Sequence, residues 1–420
     1  MSDPFPRRGG HLHAEGVPIA RIVEQAGTPV FIYSATALCE AYDALTTALA
    51  RVRHTVCYSI KSNMNLAVVR TLVARGAGID ATSGGERFRA LRAGADPSKI
   101  VYSGVGKTDP EINRALDAGI KLFNIESRAE LRRIDACAEA KGCVAPIGFR
   151  VNPDVDPRTH PYISTGLRTS KFGIPIAEAV EAYAEAKALD HVCVVGVDCH
   201  IGSQILSIEP LADALARVRS LVEELRKAGH RIEIIDVGGG IGVRYQKEEP
   251  PSPALYAETV IGIVGDLDCE IVVEPGRSIT ANAGILITRV LYQKSNEAKH
   301  FVIVDAAMND LIRPSLYQAY QRIEPVGPPR APEQTVDIVG PVCESGDFLA
   351  RERLLPRAEP GDLFAVRSAG AYGFAMSSNY NGRPRAAEVL VRGERFAVVR
   401  KRETLEDLVR GESVPEELTG

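Results

Sequence analysis

The feature that most constrains this chain is an alternation that begins at His54 and runs to Arg277. Short apolar runs, HTVCYSI, GIDATS, KIVYSG, KLFNIES, APIGFRVN, VCVVGVDCHI, IEIIDVGGG and CEIVVEPGR, alternate with amphipathic stretches such as NLAVVRTLVARG, RAELRRIDACAEAKG and LADALARVRSLVEELRKAG. The runs suit strands, whereas the stretches carry apolar residues three and four apart and mostly close on glycine. Eight such units is the count a (β/α)8 barrel needs, and a doubly wound open sheet would alternate in the same way. After residue 278 the pattern changes to strand-like segments: ITANAGILITRVLYQ, HFVIVDAA, QTVDIVGPVC, GDLFAVRS, AAEVLVRG and ERFAVVRKR. The expected architecture is therefore α/β, a TIM-like barrel over residues 28–278 followed by a mainly β domain over 279–420. Residues 1–27 show no helical period and are expected to join the second domain. Two long irregular stretches, 152–173 and 324–334, have the length of functional or mobile loops.

Composition removes several function classes. A net charge of −4 gives no electrostatic reason to expect nucleic acid or an anionic membrane as partner. No apolar run reaches the roughly 18 residues of a membrane span, and the N-terminus lacks a signal-peptide core. The eight cysteines include no C-x-x-C pair, so reduced thiols in the cytoplasm are expected, and no metal site is.

Barrel chemistry sits at the carboxyl ends of the strands. There the first run ends in Lys61, the sixth in His200, the seventh in Gly238–Gly242 and the eighth in Glu274–Arg277. Successive glycines let backbone N–H groups approach an anion, but they also make plain turns. They are not a dinucleotide fingerprint, because Val243 stands where the last glycine of G-x-G-x-x-G belongs. Lys61 can snorkel into an ion pair, or its amine can form a Schiff base with a carbonyl compound such as pyridoxal phosphate. A phosphate cradle in the same mouth favours pyridoxal phosphate. Glu274 could then keep the pyridine nitrogen protonated, or simply pair with Arg277. His200 could stack on the ring or be a core histidine.

These residues resemble the fold-type III pyridoxal phosphate decarboxylases. The resemblance rests on YSIKSN (58–63), SGGE (83–86), TSKFG (169–173), HIGSQ (200–204), GGGIG (238–242) and EPGR (274–277), and runs from about residue 28 to 391. It also rests on LIRPSLY (311–317), CESGD (343–347) and AGAYGFAMSSNYNGRPR (369–385). The last three resemble the members that convert meso-diaminopimelate to L-lysine and CO2, the last step of lysine biosynthesis. Members acting on ornithine, arginine or carboxynorspermidine, amino-acid racemases, and non-catalytic regulatory homologues are the rival readings. One departure is visible: Ser59 and Ser62 flank the motif lysine where the family usually has alanines.

The resemblance implies roles at matching positions. Lys61 would hold the cofactor, and His200 would stack on its ring. Glu274 would face the ring nitrogen, while Ser203, Gly239, Gly240, Pro275, Gly276 and Arg277 would bind the phosphate side. Arg277, Arg313 and Tyr317 would contact substrate, and Tyr372 would contact both cofactor and substrate. Cys343 would donate the proton, with Glu344 reaching the distal amine. The CESGD segment would enter from a second subunit, implying a homodimer with shared active sites. The 152–173 loop, with Ser170, Lys171 and Phe172, is expected to close over the site.

Overall fold

A computed structural model describes residues 3–157, 159–167 and 170–419. Two compact units emerge: Ala37–Asn282 forms one, and the residues up to Thr36 together with those from Ala283 onward form the other.

In the first unit the eight apolar runs are strands: β1 His54–Ser59, β2 Gly78–Ala81, β3 Ile100–Tyr102, β4 Leu122–Ile125, β5 Ala145–Asn152, β6 Val192–Asp198, β7 Ile234–Asp236 and β8 Glu270–Val273. Each pairs in parallel with the next, and β8 pairs with β1, so the sheet closes into a barrel rather than opening into a doubly wound layer. Closure leaves one set of side chains facing inward. Cys57, Val101, Leu122, Ile234 and Val272, from five different strands, pack there into a single apolar cluster.

The helices start where the sequence supplies caps. Asn65, Ser83, Ser127 and Ser252 each accept a backbone N–H from the first turn that follows, satisfying donors with no partner inside the helix. The helix Arg128–Lys141 ends on Gly142 at a left-handed φ of 63°, the usual glycine stop. The SGGE motif is one of these caps. Ser83 accepts from the Glu86 N–H, and the Glu86 carboxylate accepts from the Thr82 N–H and hydroxyl, so its residues open a helix.

The second unit is rich in sheet. Its main order runs Phe348–Pro356, Glu333–Val339, His300–Val304, Gly284–Ser295, Val30–Ser34, Ala387–Arg392 and Arg395–Arg400, with Leu363–Val366 also pairing with Gly284–Ser295. Residues 28–36, counted with the barrel in the sequence, belong here because Val30–Ser34 pairs antiparallel with Gly284–Ile287 and parallel with Ala387–Val391. Residues 1–27 are not free of helix either. Ile19–Ala26 is helical, burying Ile19, Ile22 and Val23 in a core shared with Phe5, Leu12, Val30 and Val389. The strand Phe348–Pro356 was not legible, since Arg351, Glu352 and Arg353 interrupt its alternation and Glu352 takes a φ of 51° at a register shift. The 324–334 stretch is bounded by strands Ile323–Pro325 and Glu333–Val339. Among the described residues, no helix is long and apolar enough to cross a membrane.

Candidate active site

β1 ends in a short 3-10 turn, Ile60–Ser62, which carries Lys61 out of the barrel. Its Nζ donates to Asp80 Oδ2 at 2.9 Å; Asp80, on β2, is fully buried while the lysine side chain is 37% exposed. Such a pair keeps the amine in place yet reachable. Ser59 and Ser62 are built into the same corner. The Ser59 hydroxyl lies 2.7 Å from Asp80 Oδ2 and 2.9 Å from the Glu274 carbonyl oxygen, and Ser62 Oγ lies 2.9 Å from the Ser59 carbonyl oxygen. The two serines therefore add hydrogen bonds that alanine cannot make.

The sixth and seventh strand ends are stitched together. Gln204 donates to the Val243 carbonyl at 2.7 Å and accepts from the Val243 N–H at 3.1 Å, while the Ile205 N–H donates to the Gly240 carbonyl at 2.9 Å. This holds HIGSQ against GGGIG. The Gly239 N–H donates to His200 Nδ1 at 3.1 Å, which fixes that nitrogen as an unprotonated acceptor. Burial, with Arg150 and Lys61 near it, holds the imidazole well below its ordinary pKa, so the ring is neutral and free to offer a π face. A side chain at Gly239 would run into the Glu274 carbonyl; at Gly240, whose φ is +106°, it would run into the Gly202 carbonyl. Glycine is required at both.

Glu274 and Arg277 close the ring of residues. Arg277 Nε and Nη2 donate to Ser203 Oγ at 3.2 and 3.1 Å, and Nη1 donates to the Tyr245 hydroxyl at 2.7 Å. Pro275 accepts from the Ser59 N–H at 3.0 Å, and a side chain at Gly276 would crowd Ser59. Glu274 does not pair with Arg277. Its carboxyl faces Asp236 and Asp198, with one oxygen of each residue within 4.8 Å of the others. Burial first, then Asp236, Asp80 and Asp198, raises Glu274 well above the usual carboxylate range. Its Oε1 is buried without a hydrogen-bond partner among the described residues. A protonated ring nitrogen would satisfy that oxygen, and Lys61 offers an amine to an aldehyde in the same mouth, so the barrel residues fit pyridoxal phosphate.

The 152–173 loop is built onto this mouth. The N–H groups of Thr165 and Gly166 donate to the Ile201 carbonyl at 3.0 and 2.9 Å, and Thr165 Oγ1 donates to the His200 carbonyl at 2.9 Å. The Phe172 ring lies 4.7 Å from the Arg150 guanidinium. Arg158, Arg168 and Thr169, the last being the first residue of TSKFG, lie outside the described residues.

The remaining expected residues belong to the second unit. Arg313 is buried at the start of helix Arg313–Tyr317, which places Tyr317 one turn on. Its Nη1 donates to the Gln321 side-chain oxygen at 2.5 Å, with that amide turned so that its nitrogen meets the Arg367 carbonyl. Ser315, on the same helix, donates to the Gly346 carbonyl, so LIRPSLY and CESGD are held together. Asp347 is the anchor of CESGD: its carboxylate accepts the Val342 and Met308 N–H groups, both at 2.7 Å. That leaves Cys343 and Glu344 exposed, the former with its N–H on Asn381 Oδ1 at 2.9 Å and the latter 3.3 Å from the Tyr380 hydroxyl. Tyr372 takes a left-handed φ of 55° after Leu363–Val366. Asp80, Asp198, Asp236, Tyr245 and Tyr380 were missing from the sequence-based set.

A barrel with a lysine after its first strand, a glycine turn after its seventh and a buried acid after its eighth defines a pyridoxal phosphate-dependent decarboxylase. The family model for the pyridoxal-binding domain of pyridoxal-dependent decarboxylases matches residues 36–281. The diaminopimelate decarboxylase of Pseudomonas aeruginosa is 54% identical over 412 residues, covering 98% of this chain and 99% of its own. Two solved structures are similar as well. The diaminopimelate decarboxylase of M. jannaschii in complex with L-lysine has a TM-score of 0.94 at 36% identity, covering 99% of this chain and 98% of its own. The Helicobacter pylori enzyme complexed with L-lysine has a TM-score of 0.91 at 43% identity, covering 93% of this chain and 98% of its own. This chain belongs to the diaminopimelate decarboxylase family.

Proposed function

We propose that this chain is the carboxy-lyase that removes CO2 from meso-2,6-diaminopimelate to give L-lysine, with pyridoxal phosphate as cofactor. The observation that carries the chemistry is the pairing of a reachable Lys61 amine with the orphaned, buried Glu274 carboxyl in one barrel mouth. The substrate follows from relatives of that name, alike over nearly the whole chain, two of which hold L-lysine, the product.

Pyridoxal phosphate supplies an aldehyde for amines and a protonated ring that takes up the electron pair left when CO2 departs. Lys61, held by Asp80, presents the amine that binds the aldehyde. Asp80 holds that amine at the mouth and can take up the proton the ammonium must lose before it reacts. His200, neutral and fixed through Nδ1, gives the ring a flat partner with no competing charge. Ser203, Gly239, Gly240, Pro275, Gly276 and Arg277 orient the phosphate side. Arg277, in the barrel unit, and Arg313, in the sheet unit, each offer a guanidinium fork for a substrate carboxylate, and Tyr317 and Tyr372 are further substrate contacts. Rejecting an analogue that lacks the distal carboxylate follows from the buried position of such an arginine.

Cys343 protonates the carbon that has lost CO2, and Glu344 binds the distal amine. Supporting this, Cys343 is exposed on a segment that Asp347 anchors, whereas the barrel's own Cys57 and Cys199 are buried. We read the functional molecule as a cytoplasmic homodimer in which the CESGD segment of one copy serves the barrel of the other. Eight cysteines, none of them in a disulfide, suit a reducing compartment. The barrel unit carries most of the cofactor-side residues together with Arg277 for substrate, and the sheet unit carries Arg313, Tyr317, Cys343, Glu344 and Tyr372.

The test is direct. Purified protein should be yellow, release CO2 and lysine from meso-diaminopimelate, and after borohydride treatment carry the cofactor on Lys61 in a peptide map. A colourless chain indifferent to added pyridoxal phosphate would refute the reading.

A further inference from the structure

The mouth of the barrel holds more carboxyl groups than cations. Asp80 has the Lys61 ammonium at 2.9 Å, and Glu126 and Asp198 share the Arg150 guanidinium at 3.2 and 4.0 Å. Asp236 and Glu274, both buried, form no ion pair among the described residues. Two adjacent buried carboxyl groups without a cation hold a proton between them.

Hydrogen bonding decides which of the two carries it. Asp236 ends β7 and is gripped from two sides: the Gly238 N–H donates to Oδ1 at 3.0 Å, and the Asn124 side-chain amide, from β4, donates to Oδ2 at 3.1 Å. That amide nitrogen also lies 3.2 Å from Ser103 Oγ. Both Asp236 oxygens are thus acceptors, the part of an anion, while Glu274 keeps one buried oxygen with no partner among the described residues. The pKa directions agree. Glu274 is raised well above the carboxylate range by burial and then by Asp236, whereas Asp236, raised by burial to about 6, is opposed by its two donors and by Glu274 itself.

We infer that Asp236 is a positioning residue for the cofactor ring: held as an anion by Gly238 and Asn124, it keeps Glu274 protonated in the cofactor-free barrel, and Glu274 passes that proton to the ring nitrogen on binding. This rests on the functional reading above. The transfer balances within the site. The Glu274 O–H bond breaks and its electron pair stays on the carboxylate, while an N–H bond forms on the ring lone pair. No proton is drawn from solvent. With the proton shared between Glu274 and the ring, the Asp236 charge behind Glu274 raises the affinity of that pair for it, so the pair does not lose it to solvent.

The experiment uses holoenzyme loaded with pyridoxal phosphate labelled with 15N in the ring, whose chemical shift separates pyridinium from neutral pyridine. The wild type should give a pyridinium shift. Asp236→Asn should move it toward neutral pyridine, and kcat should fall at least about ten-fold with KM held within about three-fold. Asn124→Ala, which leaves the carboxylate in place but removes a donor, should shift the signal the same way by less; it carries the test if Asp236→Asn does not fold. A purely structural role would lower folding yield without moving the shift. Pyridinium signals in both variants, with kcat within about two-fold of wild type, would overturn the inference while leaving the functional reading intact. A wild-type chain that takes up no labelled cofactor would overturn both.

Discussion

Three aspartates at the inner ends of apolar strands, Asp80, Asp198 and Asp236, shape the chemistry of the barrel mouth, and none of them announces itself in the sequence. Lys61, His200 and Glu274 were legible because each stands where an apolar run stops, at a strand end that a barrel turns toward its mouth. The aspartates sit inside the runs GIDATS, VCVVGVDCHI and IEIIDVGGG, where a reading for strands absorbs them. A signal was nevertheless present. Strands covered on both faces run almost wholly apolar, so an acid within one needs a partner or a task. The second unit offers a test of the same physics away from the cofactor. Asp310 is buried, with one oxygen accepting the Ala307 N–H at 3.0 Å, and burial lifts its pKa to about 7 despite that bond and the Arg383 and Arg402 charges. The folded chain thus keeps a proton that the unfolded chain has released between the usual aspartate value and about 7, so stability falls as pH rises through that window. Asp310→Asn should flatten this slope. Denaturant unfolding of cofactor-free protein at pH 5 and pH 8 measures it, and an unchanged slope would exclude Asp310 as the cause.

At the level of elements, the order of motifs was readable, but the way they lock together was not. HIGSQ and GGGIG look like separate strand ends in the sequence; in the fold, Gln204, Ile205 and His200 bind them into one surface. CESGD likewise reads as a cysteine among acids. The structure divides the labour, with Asp347 tying down the turn and Cys343 and Glu344 left at the surface. The sharpest consequence is at Gly239, where a methyl group would push into the Glu274 carbonyl. Gly239→Ala should cost about 1–3 kcal/mol of fit at the mouth. The apparent Kd for pyridoxal phosphate should then rise at least about ten-fold, with far-UV circular dichroism unchanged. Fluorescence titration of the apo variant reads both outcomes, and wild-type affinity would show that the turn has slack the packing does not reveal.

On the scale of the whole chain, the division into barrel and sheet was visible because the apolar period changes near residue 278. The membership of the N-terminal segment was not, since VFIYS is a five-residue run whose partners lie in Gly284–Ser295 and Ala387–Arg392, and sequence pattern carries no record of such distant pairing. The proposed shared-site homodimer makes a quantitative prediction. Lys61→Ala and Cys343→Ala chains should each be inactive alone. Dissociated together and reassociated at equal amounts, they should recover up to about a quarter of wild-type activity, because half the dimers are mixed and each mixed dimer has one intact site. Recovery of none, with mixed dimers verified by mass, would place both residues in the same copy's site.

The place of Val30–Ser34 between two strands from the far end of the chain also sets a timetable for biogenesis. The ribosome makes this strand before any residue of the barrel, yet its neighbours follow only after the entire barrel has been translated. At about 5–20 residues per second it waits roughly 12 seconds or more with both edges bare. A newborn molecule can therefore have a finished barrel while its oldest strand is still an open template, and that interval is when the chain is most exposed to mispairing with another copy of itself.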